Sequence, residues 1–336
     1  RISPLNFRPF VGIKKKLNPK SLGLILSSYC NLARIGYKID SKKINLLFKY
    51  LVLSTNTNFS GFCWGYPFPW QNKSRYLPRN YPTVVSTVFV GNGLLDYYEL
   101  TGDKRALEIS HNVCNFITKD LKINHFKEGI CFSYAPGEDN IVLNASALAS
   151  AFLARVCNYT NDNSLSDFST KAMEYIISKQ NKSGRWDYSI DKQTGKPRLQ
   201  TDWHQGFILD SLTYFISEGE SMTAQCNESY TKGIKFYRRL FDDNGESYWR
   251  YPIKYPINIH NQSQGIITFS KAKEFFPEYS DFSSTILSYT NDNLFSKDHY
   301  YYQKHKYFTN RISYMRWNQS WMMLALATYI EHMDNS

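Results

Sequence analysis

His204 stands at the start of an apolar run, between Trp203 and Gln205, with Asp202 two residues before it. A histidine near a carboxylate can serve as general base or general acid close to neutral pH. The simpler reading of the same residues is that Asp202 caps a helix and His204 hydrogen-bonds inside a funnel. His260, followed by Gln262 and Gln264, opens the next such run, so the two histidines can face each other from equivalent places in adjacent repeats. Two His and one Asp of unknown geometry do not make a zinc signature, and no Cys-His or Asp-x-Cys pairing is present. No metal and no cofactor are expected.

Aromatic residues supply the second set of candidates. The pattern aromatic-x-tyrosine occurs as Trp64-Gly-Tyr66, Phe132-Ser-Tyr134, Trp186-Asp-Tyr188, Trp249-Arg-Tyr251 and Tyr300-Tyr-Tyr302, with tyrosines 68, 54, 63 and 51 residues apart. Residues two apart share a face of extended chain, so each loop is expected to present its pair in one direction. Trp64, Tyr66, Trp70, Trp186, Trp249 and Tyr251 could stack on sugar rings, since an apolar face with a polar tip suits a pyranose. Tyr134 or Tyr188 could move a proton if a nearby cation lowers the phenol from its usual value of about 10. The plainer role for any one of these rings is to fill a loop core. Arg311 and Arg316, with Arg250, could hold a carboxylate or phosphate by paired hydrogen bonds, or form ion pairs with loop acids. Gln262 and Gln319, at polar openings of apolar runs, are further candidate ligand contacts. A glycoside hydrolase needs two carboxylates flanking the bond; Glu138, Asp139, Asp187 and Asp202 are the loop acids, and no pair stands out by spacing.

These residues need helices to carry them. Apolar stripes of helical period run through 22–35, 44–53, 84–100, 106–117, 145–156, 168–177, 207–216, 234–241, 266–276, 282–289 and 317–330. The tyrosine intervals fit two helices and their turns. The expected architecture is all-α, an α/α toroid of five to six helical hairpins with aromatic loops and inner-helix starts gathered at one mouth. An open solenoid is the alternative stacking. Residues 1–19 read as a basic extension and 20–336 as a single toroid domain.

Composition narrows the function classes. The 336 residues hold 55 aromatics (7 Trp, 26 Tyr and 22 Phe), too many for a disordered chain. The apolar stretch Trp321 to Ile330 is about half a membrane crossing. Residues 1–80 carry 14 Lys and Arg against one acid, Asp40, whereas 81–336 carry 26 against 28. The net charge of +11 therefore sits at one end and gives no support to a uniformly cationic cleft. Lys14-Lys15-Lys16 with its neighbouring aromatics could rest on anionic lipid; no nucleic-acid motif is evident. Six cysteines without a CxxC pair read as buried thiols of a reducing compartment, and no signal-peptide pattern is visible, so a cytoplasmic place, peripheral to the inner membrane, is expected.

Some segments look familiar. Gln180-Asn-Lys-Ser-Gly184-Arg-Trp186 resembles the Q-x3-G-x-W turn of α/α-toroid proteins, among them terpene cyclases and many carbohydrate-active enzymes. The acidic cluster of a terpene cyclase is not matched, since Asp242-Asp243-Asn-Gly-Glu246 reads as a turn. Thr201-Asp-Trp-His204-Gln-Gly206-Phe207-Ile-Leu209 resembles a stretch of an uncharacterised toroid family of surface-polysaccharide biosynthesis, distantly like the glucuronyl C5-epimerase catalytic domain. Thr201 and Gln205 stand where that family has Asp and Thr. Gly65-Tyr66-Pro67-Phe68-Pro69-Trp70-Gln71 and Arg316-Trp317-Asn318-Gln319-Ser320-Trp321 resemble the same family's early loop and last helix. The resemblance covers 20–330 and implies an oligo- or polysaccharide partner, anionic if the sugar is a uronic acid. The expected reaction is uronate lysis or C5 epimerisation, with inverting hydrolysis or non-catalytic glycan binding as alternatives.

Overall fold

The computed structural model describes every residue except 1–4, 6, 9, 72–74, 218–221, 280 and 335–336. Among the described residues, eleven α-helices alternate between two layers. The inner helices are α1 (Pro19–Arg34), α3 (Val84–Thr101), α5 (Leu143–Thr160), α7 (His204–Ser217), α9 (Ile259–Ala272) and α11 (Ser320–Asp334). The outer ones are α2 (Ser41–Leu53), α4 (Lys104–Asn115), α6 (Asn163–Ser178), α8 (Thr223–Arg238) and α10 (Phe282–Leu294). Each inner helix packs on the next, and α11 returns to pack on α1. The ring is closed, an all-α toroid of five hairpins completed by one inner helix, and not an open solenoid.

Burial follows the layers. The inner helices α3 and α5 are enclosed on nearly every side and read as apolar or small residues throughout, whereas α4 buries only Ala106, Ile109, Ser110, Val113 and Cys114. Tight reversals join inner to outer helices: Gly102 (φ 71°) and Asn161 (φ 55°) end α3 and α5 in the left-handed region, and the next residues, Asp103 and Asp162, cap α4 and α6. Where α1 meets α3 the backbones touch. A Cβ on Gly23 would lie 2.8 Å from the Phe89 carbonyl oxygen, so only glycine admits that approach. The long connections, from outer to inner helices, all fall at the N-terminal end of the inner ring.

Two local features lie beyond what the apolar stripes mark. Helix α8 begins at Thr223, eleven residues before the apolar stripe, because Cys226 and Tyr230 continue its buried face without reading as aliphatic. The loops also contain short strands that periodicity did not reveal, such as Ile123–Phe126 paired antiparallel with Gly129–Phe132. They stiffen loops and form no core. Among the described residues no helix is long and apolar enough to cross a membrane.

Candidate active site

A repeated clamp builds the mouth. Gln205, on the first turn of α7, accepts from the Trp186 backbone N–H (3.0 Å) and donates to its carbonyl (2.7 Å). Gln319 holds Tyr300 the same way, Thr87 holds Trp64, Ser146 accepts from the Phe132 N–H, and Gln262 binds Ser247 and Gly245. The tyrosine two residues on then ties each loop to the preceding inner helix: the Tyr134 and Tyr188 carbonyls accept from Val84 and Leu143, and that of Tyr302 from Ile259.

This clamp corrects four of the sequence candidates. Trp64 and Trp186 are fully buried, with indole N–H groups on the carbonyls of Leu51 (2.9 Å) and Ile176 (2.8 Å), so they pin loops to outer helices and meet no ligand. Gln262 and Gln319 spend their amides on loop backbone. The aromatic pairs therefore do not share a face. Trp64, Phe132 and Trp186 plug the wall while Tyr66, Tyr134 and Tyr188 reach the mouth, and the Trp249–Tyr251 pair does not follow this pattern.

Around the mouth the functional groups form a ring. His204 Nδ1 lies 2.5 Å from Asp202 Oδ1; the same oxygen accepts from the His204 N–H (3.2 Å), and Gln200 Nε2 donates to Oδ2 (2.8 Å). Capping and orienting are thus one arrangement. With Nδ1 on a carboxylate, Nε2 carries the basic lone pair. The Tyr188 ring meets that of His204 at 4.8 Å. Tyr134 follows, an electrostatic neighbour of Tyr188 and Tyr66, beneath the Arg75 guanidinium at 4.2 Å. Tyr66 lies under Arg316 at 4.6 Å. His260 closes the ring, stacked on Trp203 at 4.7 Å and crowded by Trp317 and Trp321.

The three tyrosines differ electrostatically. Burial pushes the Tyr134 phenol well above 10 and raises Tyr188 too. Burial acts in the same sense on Tyr66, but Lys20 and then Arg316 outweigh it, and the phenol falls below 10. Of the three phenols, Tyr66 is thus the one whose proton is most easily removed. His260 is 2% exposed and held well below 6.5 by burial, then by Lys20, His204 and Arg316, so its ring is neutral. Neither of its nitrogens has a hydrogen-bond partner among the described residues.

Lys20 is the residue that sequence reading missed. It is 6% exposed on the first turn of α1, with its ammonium over Phe89 (4.8 Å) and Trp321 (4.9 Å), and burial lowers it to about 8. Asn18-Pro19-Lys20 is the sixth inner-helix opening, and its signal was lost in the basic extension. Arg75, also from the basic end, is brought in as well, paired with Glu138 at 2.9 Å. Two of the 14 basic residues of 1–80, Lys20 and Arg75, thus reach the mouth.

The other candidates lie further out. Trp70 and Trp249 are half-buried, with Trp249 at 6.5 Å from Trp203. Tyr251 packs on Tyr248 and Arg239, and exposed Arg311 stacks on Tyr301, so neither joins the ring of site residues. Of the loop acids, Asp202 has a fully buried side chain, and Asp139 is bound to Lys122 and Lys192. Glu138 pairs with Arg75 at 2.9 Å, and Asp187 lies 3.4 Å from Arg185. Burial pushes the Cys63 and Cys131 thiols up to about 12, which leaves them inert.

Fold and site together define an α/α toroid with an acid–base and cationic mouth. No family model matches the chain, and no curated protein matches it. Solved structures do. Cellobiose 2-epimerase from Spirochaeta thermophila superposes with a TM-score of 0.71 at 12% identity, covering 95% of this chain and 86% of that one. A GH76 α-mannanase from Bacteroides thetaiotaomicron gives 0.73 at 12%, covering 97% and 90%. A D-mannose isomerase gives 0.71 at 11%, covering 94% and 87%. At such identities the likeness establishes the toroid fold and leaves the chemistry to the residues.

Proposed function

We propose that the protein is a carbohydrate-active enzyme that moves the proton beside the carboxylate of a uronic acid residue, as a C5-epimerase or lyase. One observation carries this reading. Lys20 and Arg316, two cations with no carboxylate partner among the described residues, flank the Tyr66 phenol in the ring that contains the His204–Asp202 pair.

The chemistry follows from the charges. Lys20 and Arg316 bind the sugar carboxylate and stabilise the negative charge that develops on it when C5–H breaks. His204 Nε2 takes that proton, and Asp202 stabilises the resulting imidazolium. Tyr66 then gives its proton to the opposite face of C5, which inverts the centre and completes epimerisation. Given instead to the oxygen leaving C4, the same proton completes a lyase step and leaves a C4=C5 double bond. The charge on Tyr66 is held by its two cations until a proton returns. The proposed setting is assembly or tailoring of a surface polysaccharide, supported by the resemblance of 201–209 and 316–321. Exposed Lys14, Lys15 and Lys16, beside exposed Phe10, Val11 and Ile13, would rest on an anionic cytoplasmic membrane face.

A second reading is proton transfer at C2 of a neutral aldose. It is favoured by His260, a neutral imidazole without a partner among the described residues, on the helix next to His204, and by the fold shared with a cellobiose 2-epimerase and a D-mannose isomerase. Incubation in D2O separates the two. Deuterium at C5 of a glucuronate-containing oligosaccharide, or ultraviolet absorbance from a new double bond, supports the uronate reading. Deuterium at C2 of cellobiose or mannose supports the other. Neither exchange, with glycan binding lost only on removal of the mouth aromatics, would make the protein a binder.

A further inference from the structure

The inner ring encloses a second space, on the axis beyond the floor of the mouth, of about 430 Å3. Such a volume lies in the range of small-molecule sites, about 300–1,000 Å3. Phe89, Phe207 and Trp321 separate the two spaces. Phe89 and Trp321 carry the Lys20 ammonium on the mouth side, Phe207 lies 5.9 Å from His204, and all three line the second cavity. All six inner helices contribute to its wall, and at its rim Arg34 and Glu331 are 30% and 25% exposed.

Its chemistry is unlike that of the mouth. The cations Arg34, Arg155 and Lys271 are outnumbered by the acids Asp96, Glu99, Asp210 and Glu331. Arg155 binds Asp96 and Glu99 at 2.5 Å each, Arg34 pairs with Glu99, and Asp210 accepts from Gln264 Nε2 (2.8 Å) and Thr268 Oγ1 (2.9 Å). Arg34 and Arg155 are used on Asp96 and Glu99, and no surplus of positive charge invites an anion. Three buried polar atoms of the wall remain without a partner among the described residues, the acceptor Gln264 Oε1 and the donors Arg155 Nε and Trp321 Nε1. Gln264 is 1% and Arg155 7% exposed, so each carries a desolvation cost until something meets it. A hydroxyl group both donates and accepts, and the aromatic floor offers a face for an apolar ring.

We propose that this second cavity is a binding site for a neutral, hydroxyl-rich ligand of monosaccharide size, back to back with the reactive mouth. Calorimetric titration of the full chain with glucose and separately with glucuronate tests it, with no reliance on turnover. Glucose should bind with equal affinity to the wild type and to K20M, and its affinity should fall on the order of tenfold in A151F, which fills the cavity. S211L provides a second filling variant, since the Ser211 hydroxyl bonds only to the Phe207 carbonyl within its own helix. Unchanged thermal melting confirms that each variant folds. Glucuronate should behave in the opposite way, sensitive to K20M alone. Absence of glucose binding, or glucose binding that survives both filling variants, would overturn the proposal. The reading of the mouth would stand or fall separately on glucuronate.

Discussion

Replacing Lys20 by Met should make the protein more stable and much less active. Burial lowers the ammonium from 10.5 to about 8, so at pH 7 the folded state holds a charge that the unfolded state holds more easily. A shift of that size corresponds to about 3 kcal/mol, all of it present below pH 8. Between pH 8 and 10.5 the unfolded chain binds more protons than the folded one, so the cost is relieved as pH rises. The contacts to Phe89 and Trp321 return about 0.5–1 kcal/mol each, which leaves a net gain on the order of 1–2 kcal/mol for K20M at pH 7. Denaturant melts at pH 7 and pH 10 measure it, and the advantage of the variant should shrink at the higher pH. On a uronate substrate, loss of a charged hydrogen bond of about 1.5–3 kcal/mol lowers kcat/KM by roughly 10- to 150-fold. The wild-type profile should fall above about pH 8, and that limb should vanish in K20M. A destabilised K20M at pH 7, or one whose kcat/KM stays within about twofold of wild type, would refute the reasoning.

Asp202→Asn keeps the helix cap but not the carboxylate that fixes the His204 tautomer, and kcat should fall by about 10²–10⁴ with substrate binding retained, measured by steady-state kinetics and calorimetry. Tyr66→Phe should abolish inversion at C5 or elimination, whereas Tyr134→Phe, which removes a phenol that burial keeps protonated, should lower it far less; equal losses would end the distinction. Gln205→Ala leaves the buried Trp186 N–H and carbonyl without the side chain that satisfies them, and should cost about 2–4 kcal/mol in urea melts with little change in KM for the fraction that remains folded.

The layers of the ring were legible because period 3.6 is a local property. All eleven stripes became helices, and Asp after Gly102 or Asn161 marks the turn between inner and outer partners. The clamps were half legible. A polar residue at each inner-helix start is visible as a pattern, but Gln205, Gln262 and Gln319 could face a ligand or a loop, and only the fold makes them hold backbone. His204 beside Asp202 could be read because the two are neighbours in the chain.

What the sequence determined by itself is what short-range order encodes: helix count, alternation of amphipathic and wholly apolar helices, cap residues, and the Asp202–His204 pair. What tertiary structure alone decided is everything that depends on closure. Residue 20 meets residue 66 because α1 packs on α3, and residue 316 because α11 packs back on α1; together these contacts make a lysine of the first helical turn a buried cation and lower the phenol of Tyr66. The same closure buries His260 without a partner and encloses the second cavity. Burial and through-space charge set these properties. Both depend on distances across the ring, which spacing along the chain does not contain.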